Sequence, residues 1–474
     1  MARSRPRARR RRALGAVLVL ILLGLVSGYV ALDIRDVVPG VLTDDPPWLD
    51  ADPFPAASLP SVPAAEEVLS GPSPTAPLPT ADGLAALSAP VLADPRVGPD
   101  SGVLVTDVLT GADLFTATPQ TARVPASTLK ILVAVAALET MGDQRTFTTR
   151  VMNGADGEVV LVGGGDMMLA SDAGDAGAVV GHAGLGDLAD EVAEELSAEG
   201  RSTTRVVLDD SLFTGPRLGP NWGAADVNGG WAMPIMPIAV DIGIVEGRTV
   251  RESDPALAAA GAFAQALAAR GITVQGEATR GLATSGAAEL ASVESAPLRD
   301  VVAYTLQHSE NILSEVLGRM TADALGQQTS FAGAGVAVRD VLTGLGVDTT
   351  GMNLVDASGL SSLSTVTPRS LVQAVRLIAD GSHPELLSVV HALPVAGLEG
   401  TLAERLSDTD AAGVLMAKTG TLPQVVSLAG LVVTADGRLL AFAFIANNFE
   451  RGAAYQARLA IDDWAAGLAG CGCS

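Results

Sequence analysis

The chain has 474 residues and a formal net charge of −23, because 53 Asp and Glu stand against only 30 Lys and Arg. Affinity for nucleic acid rests largely on Lys and Arg contacts to phosphates, so this acidic balance excludes a general nucleic-acid binder. Hydrophobic residues make up 48% of the chain, which is enough for a substantial core in about two or three domains. None of the four histidines has metal-ligand spacing with another, so we expect no metal site.

Three segments of different composition precede the folded part. Residues 1–12 form a basic tail, residues 13–32 carry no charge, and residues 33–82 are rich in proline and acidic side chains. The uncharged stretch can cross a bilayer core of about 30 Å while the basic tail stays in the cytoplasm, which predicts a signal anchor or a cleaved signal peptide. The remainder is therefore expected outside the cytoplasm, in the cell envelope or secreted, with 33–82 as an extended linker.

The folded part is predicted to begin near Gly83 and to contain both strands and helices. The predicted strands are 102–108 and 113–117, several short ones in the Gly-rich stretch 148–293, and an antiparallel meander of 413–421, 425–434 and 438–447. The predicted helices are 127–141, 256–269, a run after Pro297 that contains Ser309-Glu310-Asn311, and 453–466. The tail with Cys471 and Cys473 is predicted to be disordered, and intermolecular pairing is the alternative.

Lysine is rare in this chain. Only Lys130 and Lys418 are lysines, and all other basic residues are arginines. A desolvated lysine can lose its proton, whereas an arginine stays charged in proteins. Two surface lysines could persist by chance, so the neighbours of each decide its interpretation.

Ser127 and Lys130 form a Ser-x-x-Lys sequence at the predicted start of a helix. A spacing of three puts both side chains on one helix face, and the helix start supplies backbone N–H groups and a positive potential that favour a developing oxyanion. A neutral Lys130 could take the proton of Ser127 and make it a nucleophile. The alternative is a serine that caps an ordinary helix and a solvated lysine.

Lys418, Thr419, Gly420 and Thr421 lie on a predicted strand. The ammonium attracts a carboxylate, the two hydroxyls can donate to it, and a glycine lets a backbone approach closely. This set suits the anionic end of a substrate. The alternative is an edge-strand lysine that discourages aggregation.

Taken in order, Ser-x-x-Lys, Ser309-Glu310-Asn311 and Lys-Thr-Gly resemble the signature set of penicillin-binding proteins and serine β-lactamases. Ser-x-Asn alone would indicate only a polar turn, but the two lysines of the chain occupy both lysine positions of the set. Further blocks resemble the penicillin-binding-protein-4 type of D-alanyl-D-alanine carboxypeptidase/endopeptidase, as does the long stretch between Ser127 and Ser309. These blocks are 162–166 (Val-Gly-Gly-Gly-Asp), 209–213, 219–222, 358–361 (Ser-Gly-Leu-Ser), 366–368, 393–397 and 400–402.

The sequence departs from this family at three places. Glu310 stands where Asp is usual, Ala357 where Gly is usual, and Met167-Met168 where Pro-Thr is common. We expect Glu310 to point away from the reacting centre.

The resemblance implies an α+β fold of the β-lactamase/transpeptidase type. Its antiparallel sheet would be flanked by helices, with the catalytic helix in the middle. This catalytic domain would consist of residues 83–143 and 293–474, interrupted by a large β-rich inserted domain at 144–292.

The resemblance also implies roles for the three catalytic residues. Ser127 would attack the carbonyl between two D-alanines and form an acyl-enzyme, Lys130 would be its base, and Ser309 would pass a proton to the leaving amine. Desolvation and the neighbouring Lys418 ammonium would both lower the pKa of Lys130. No metal or cofactor is expected.

Substrate binding is assigned by the same resemblance. Asn311 would hold the peptide of the substrate and Lys130, while Lys418, Thr419, Gly420 and Thr421 would receive the terminal carboxylate. The expected partners are peptidoglycan stem peptides ending in D-Ala-D-Ala, β-lactams as inhibitors, and a membrane if residues 13–32 are retained.

Three other functions stay open from the sequence. A β-lactamase or esterase of the same scaffold would turn over penicillin rapidly. A sensor would become acylated without turnover. A purely structural envelope protein would leave the paired lysines without a reason.

Overall fold

The computed structural model describes residues 6–35 and 72–472, which belong to two separate units of the chain. The first unit contains the helix α1 (Pro6–Asp33). Among the described residues, no helix is both long and apolar enough to span a membrane. Residues 1–5 of the predicted basic tail and residues 36–71 of the predicted linker lie outside the described residues.

Helices and strands are mixed along the second unit, which confirms the predicted α+β class. The helices are α2 (Ala81–Leu92), α3 (Leu129–Met141), α4 (Leu185–Ala198), α5 (Ala224–Asn228), α6 (Pro255–Ala269), α7 (Leu298–Gln307), α8 (Asn311–Ala324), α9 (Phe331–Gly344), α10 (Pro368–Leu377), α11 (Leu387–Ala392) and α12 (Ala454–Ala469). The strands are β1 (Asp100–Asp107), β2 (Asp113–Ala117), β3 (Thr148–Asn153), β4 (Glu158–Val162), β5 (Asp166–Leu169), β6 (Thr203–Asp209), β7 (Ile238–Val240), β8 (Thr273–Val274), β9 (Thr279–Arg280), β10 (Glu289–Glu294), β11 (Leu415–Leu422), β12 (Val425–Val433) and β13 (Leu439–Asn447).

Five antiparallel strands form the central sheet, in the order β11-β12-β13-β1-β2. Successive side chains of a strand point to opposite faces, so the sheet divides two apolar clusters. On β13, Ala443 and Ile445 belong to the cluster with α3, α8 and α10, whereas Phe442 and Phe444 belong to the cluster with α12. Helices therefore cover both faces of the sheet, and β11 stays at its edge.

The helix α3 lies at the centre of the first cluster. Its residues from Leu129 to Leu138 are all buried, as expected of a helix that is apolar on every side. The N-terminus of α3 is consequently anchored in the core of the molecule.

A second sheet is formed by residues between 148 and 294. Its main strand order is β10-β3-β4-β6-β8, and β9 also pairs with β6. The pairs of β6 with β4, β8 and β9 are parallel. This sheet packs with α4 and α6 in an apolar cluster of its own, whose buried members run from Val151 to Ala291. The division into a catalytic and an inserted domain at 144–292 stays a prediction.

The helical run predicted after Pro297 is broken in two. His308 ends α7, Glu310 caps α8, and Ser309 between them has a φ of 56°. The left-handed region disfavours a non-glycine residue, so a continuous helix is not possible here. The Ser-x-Asn motif thus lies at a helix break rather than within a helix.

The two ends of the folded part also differ from the prediction. Helix α2 begins at Ala81, and the backbone N–H of Ser73 donates to Gly437 O at 2.8 Å, so ordered structure precedes Gly83. At the other end, Cys471 is buried in the cluster with α12. The prediction of a disordered tail is therefore wrong for Cys471, and Cys473 lies outside the described residues.

Candidate active site

Ser127 lies in a short 3-10 turn, Ala126–Thr128, directly before α3. Ala126 adopts a left-handed φ of 48°, so the chain turns sharply before the serine. The Nζ of Lys130, one helical turn later, is 2.9 Å from Ser127 Oγ. The predicted pair is thus in hydrogen-bond contact, although the regular helix begins at Leu129, two residues later than predicted.

Lys130 is buried, with 1% of its surface exposed. Its ammonium also donates to Asn311 Oδ1 at 2.8 Å and to Ser358 O at 2.7 Å. Burial lowers the pKa of Lys130 to about 8, although the charges of Asp356, Glu315 and Glu310 act in the opposite direction. A lysine with this pKa is partly neutral near pH 8 and can act as a base.

Two buried carboxylates lie near Lys130. Glu315, on α8, accepts from the backbone N–H of Ala357 at 3.0 Å and of Ser358 at 2.7 Å, and so positions the carbonyl that Lys130 contacts. Asp356 accepts from Ser361 N at 2.7 Å. Burial and the charge of Asp356 raise the pKa of Glu315 to about 7, and burial also raises the pKa of Asp356.

Ser309 and Lys418 form a second serine–lysine pair. Lys418 Nζ donates to Ser309 Oγ at 2.9 Å and to Thr419 O at 3.0 Å. Lys418 is fully buried on β11. Burial, with the charges of Lys130 and Arg405, holds the pKa of Lys418 well below its usual value. In the present arrangement the ammonium is directed at Ser309.

Asn311 connects the Ser127–Lys130 pair to the segment that contains Trp231. Its Oδ1 accepts from Lys130, while its Nδ2 donates to Trp231 O at 2.9 Å. Glu310, its neighbour, makes an ion pair with Arg251 at 2.8 Å. The side chain of Glu310 is therefore directed at Arg251.

The edge strand β11 closes the remaining side of the site. A Cβ at Gly420 would lie 2.8 Å from Pro125 O and 3.0 Å from Ser127 N, so only glycine permits this approach to the nucleophile. Thr419 Oγ1 is 3.0 Å from Thr401 Oγ1, and Thr421 is exposed. Thr421 is the residue of this set that solvent reaches most readily.

A cavity of about 320 Å³ adjoins Ser309 and Asn311. Its other wall comes from the segment between α5 and α6 and includes Trp231, Ile244 and Arg248. The exposed fraction of Trp231 is 63%, which is high for a tryptophan. The cavity offers polar and apolar contacts beside the two serine–lysine pairs.

One group of described residues has side chains arranged as metal ligands could be. The ligand atoms of Glu139, His383 and Glu385 lie within 4.8 Å of one another. This group includes Glu139, in the last turn of α3, whereas Ser127 and Lys130 lie at the other end of that helix. Glu139 lies far in sequence from His383 and Glu385, so the spacing of the histidines did not predict this group.

Several residues of the site were not predicted from the sequence. Glu315, Asp356, Trp231 and Arg251 each contact a motif residue or its neighbour, but they come from distant parts of the chain. Lone acidic, aromatic or basic residues carry no spacing signal. The block 358–361 was the one sequence signal near Asp356 and Glu315. It follows Asp356 closely and includes the Ser358 carbonyl that Lys130 contacts.

Comparisons with known proteins support the predicted resemblance. Carboxypeptidase DacB of Mycolicibacterium smegmatis is 39% identical over 409 residues, 84% of this chain and 86% of that protein. A D-alanyl-D-alanine carboxypeptidase of Actinomadura sp. is 31% identical over 467 residues, 79% of this chain and 82% of that protein. Among solved structures, penicillin-binding protein 4 from Haemophilus influenzae has a similar fold, with a TM-score of 0.67 at 20% identity over 81% of this chain and 98% of that one.

A family profile matches most of the folded part. The profile described as the D-Ala-D-Ala carboxypeptidase 3 (S13) family matches residues 84–254 and 246–468. With this match and the relatives above, the predicted family, fold and enzyme class are confirmed. The chain belongs to the D-Ala-D-Ala carboxypeptidase 3 (S13) family and is a D-Ala-D-Ala carboxypeptidase.

Proposed function

We propose that Ser127 is the nucleophile of this carboxypeptidase and Lys130 its general base. The observation that carries this assignment is the 2.9 Å contact between Lys130 Nζ and Ser127 Oγ, with Lys130 buried and its pKa lowered to about 8. In the reaction, neutral Lys130 takes the hydroxyl proton while Oγ attacks the carbonyl between the two D-alanines. The C–N bond then breaks, terminal D-alanine leaves, and water hydrolyses the acyl-enzyme.

Ser309 is proposed to carry the proton to the leaving amine. Its hydroxyl accepts from Lys418 Nζ, so it is oriented by a buried donor. Asn311 is within hydrogen-bond distance of Lys130 and is proposed to hold the peptide of the substrate as well. The Ser127–Lys130 pair and the Ser309–Lys418 pair would thus act on the same scissile peptide bond.

The terminal carboxylate of the substrate is assigned to β11. Thr419 and Thr421 can donate to it, and the Lys418 charge lies behind them on the same strand. The backbone N–H groups of Ser127 and Thr421 are proposed as the oxyanion hole, a contribution of about 10²–10³ in rate for each donor. The short approach of Gly420 to Ser127 N supports this pairing of the two segments.

The proposed substrates are peptidoglycan stem peptides that end in D-Ala-D-Ala, and cleavage of crosslinks between stems is the alternative activity that the family resemblance implies for the same site. A β-lactam mimics the dipeptide and is expected to acylate Ser127. No metal, cofactor or nucleic acid is part of this proposal.

The place of action proposed is outside the cytoplasm. The basic residues 1–12 and the uncharged residues 13–32 support export, either with retention as an anchor or with cleavage, and the part of 33–82 that precedes Pro72 would then be the linker. N-terminal sequencing of the protein from fractionated cells distinguishes these outcomes. Recovery of the uncleaved chain in the cytoplasm would contradict the proposal.

The catalytic assignment is tested with the full chain as wild type, Ser127→Ala and Ser202→Ala, in which an exposed serine is changed as a matched control. We expect wild type and Ser202→Ala to release D-alanine from a peptide ending in D-Ala-D-Ala, and Ser127→Ala to release none. Mass spectrometry after incubation with penicillin should find the adduct on Ser127. Folded wild type that binds penicillin but releases no D-alanine would instead indicate a sensor or an endopeptidase.

A further inference from the structure

Glu310, the middle residue of the Ser-x-Asn motif, uses both oxygens of its carboxylate. Oε1 accepts from Ile312 N at 3.1 Å and so caps α8. Oε2 accepts from Arg251 Nη2 at 2.8 Å. The two side chains are mostly buried, with exposed fractions of 12% and 14%. A charge-assisted contact in such surroundings is stronger than an exposed ion pair.

Arg251 belongs to the opposite wall of the cavity beside Ser309. Its Nε donates to Gly230 O at 2.9 Å and its Nη1 donates to Ile242 O at 2.8 Å. The guanidinium thus ties two turns of its own wall together and reaches across to Glu310. The residue after Gly230 is Trp231, whose carbonyl accepts from Asn311.

The motif residues on either side of Glu310 depend on its position. Ser309 has a φ of 56°, a conformation that costs a non-glycine residue energy and that persists only where its surroundings impose it. Its neighbours are the end of α7 and the cap of α8, and the cap is the residue that Arg251 binds. Fixing Glu310 therefore holds the backbone from which the Ser309 hydroxyl meets Lys418 and the Asn311 amide meets Lys130.

We propose that Arg251 is a positioning residue of the carboxypeptidase reaction, which holds Ser309-Glu310-Asn311 in its reactive conformation through Glu310. The inference rests on the proposed roles of Ser309 and Asn311. It also explains why this chain has Glu at position 310, because Asp would be shorter by one C–C bond of about 1.5 Å and could not cap α8 and reach Arg251 equally well.

The test compares Arg251→Ala, Arg251→Lys and Glu310→Asp in the full chain. A displacement of about 1 Å can cost about 10²-fold in rate, so we expect Arg251→Ala to lower kcat by about 10- to 100-fold with a smaller change in KM. Acylation of Ser127 by penicillin should slow in parallel. Arg251→Lys keeps one donor for Glu310 and should recover part of kcat, and Glu310→Asp should fall between wild type and Arg251→Ala.

Arg280→Ala is the matched control, because Arg280 also binds two acceptors, Asp210 and Asp254, but does not contact the motif. Its kcat should equal that of wild type even if its melting temperature falls. If wild type is active and the folded variants Arg251→Ala, Arg251→Lys and Glu310→Asp all keep its kcat, this inference alone is overturned. A folded wild type that neither releases D-alanine nor is acylated at Ser127 would overturn the proposed function, and the inference with it.

Discussion

Lys130 and Lys418 are both buried, and each contacts a different serine. Burying a charged ammonium is costly, so each site favours the neutral amine more than water does. An arginine in either place would stay charged and would be larger. The chemistry of the site therefore explains why lysine occurs at these two positions in a chain that otherwise uses arginine.

Replacing each lysine by arginine should separate their roles. Lys130→Arg cannot accept the proton of Ser127, so we expect kcat/KM to fall by about 10²–10⁴-fold. Lys418→Arg keeps a charge and a donor for Ser309, so we expect a loss of about tenfold, mainly in KM. The rate of D-alanine release at several substrate concentrations gives kcat and KM of each variant, and thermal melting tests whether each variant is folded. Equal and small losses in the two variants would contradict the assigned roles.

The reaction should depend on pH through Lys130. Because its pKa is lowered to about 8 and the base must be neutral, kcat/KM should rise with pH below about 8 and level off above it. Asp356→Asn removes the carboxylate that opposes this lowering most strongly, so the rise should move to lower pH, with Glu315 and Glu310 still facing the ammonium. A pH profile that does not move in Asp356→Asn would contradict this electrostatic account.

The lowered pKa of Lys130 also affects the stability of the fold. Folded Lys130 binds fewer protons than unfolded Lys130 between a pH of about 8 and its ordinary pKa of 10.5. Its contribution to the free energy of unfolding should therefore increase across this window and stay constant below it.

At the scale of elements, the sequence predicted the central meander well. The predicted strands 425–434 and 438–447, joined by the Ala-Asp-Gly turn, lie within one residue of the observed ends of β12 and β13. The helix α3 was also predicted, because its apolar run is long. The three motifs indicated eight site residues, and the geometry brings Ser127, Lys130, Ser309, Asn311 and Lys418 together.

Other elements could not be predicted from local patterns. The break at Ser309 lies next to the contact between Glu310 and Arg251, and a contact with so distant a residue leaves no mark on helical periodicity. The parallel pairing of β4 with β6 joins segments separated by α4, and pairing over such distances leaves no trace in residue spacing. Glu315 and Asp356 are likewise identified only by what the fold places beside them.

The turn between β12 and β13 depends on a buried ion pair. Arg438 Nε is 2.5 Å from Asp107 Oδ1, Asp107 is fully buried, and Arg438 Nη1 donates to Pro74 O at 2.9 Å. Arg438→Ala would leave the buried Asp107 carboxylate without its cationic partner, with only the hydrogen bonds from Thr110 remaining, so we expect a loss of about 3–5 kcal/mol in the free energy of unfolding. Denaturant unfolding checks this, with Arg205→Ala, from an exposed pair, expected to cost at most about 1 kcal/mol.

At the scale of the whole molecule, the second sheet has a core separate from those of the central sheet. Phe263, on α6, is fully buried there, whereas Phe442 is fully buried beside the central sheet. Each change to alanine should cost about 3–5 kcal/mol in the free energy of unfolding of its own core. The predicted inserted domain would make these effects local.

Hydrogen exchange measures where the loss occurs. Phe263→Ala should increase exchange in β3, β4 and β6 while α3 stays protected and Ser127 is still acylated by penicillin at low temperature. Phe442→Ala should increase exchange in β12 and β13. Equal loss of protection throughout the chain in both variants would mean that the two sheets unfold as one unit.

The burial of α3 from Leu129 to Leu138 has a consequence for how the nucleophile moves. Its amide groups from Leu132 to Leu138 can meet solvent only when the core around them opens. Ser127 directly precedes this buried helix and Lys130 lies on it, so we expect their alignment to persist as long as the surrounding core stays closed. Conformational adjustment to substrates of different size must come from the other side of the cleft, where Trp231 and Ile244 are exposed. The site thus places its nucleophile beside a buried helix and faces it with exposed side chains.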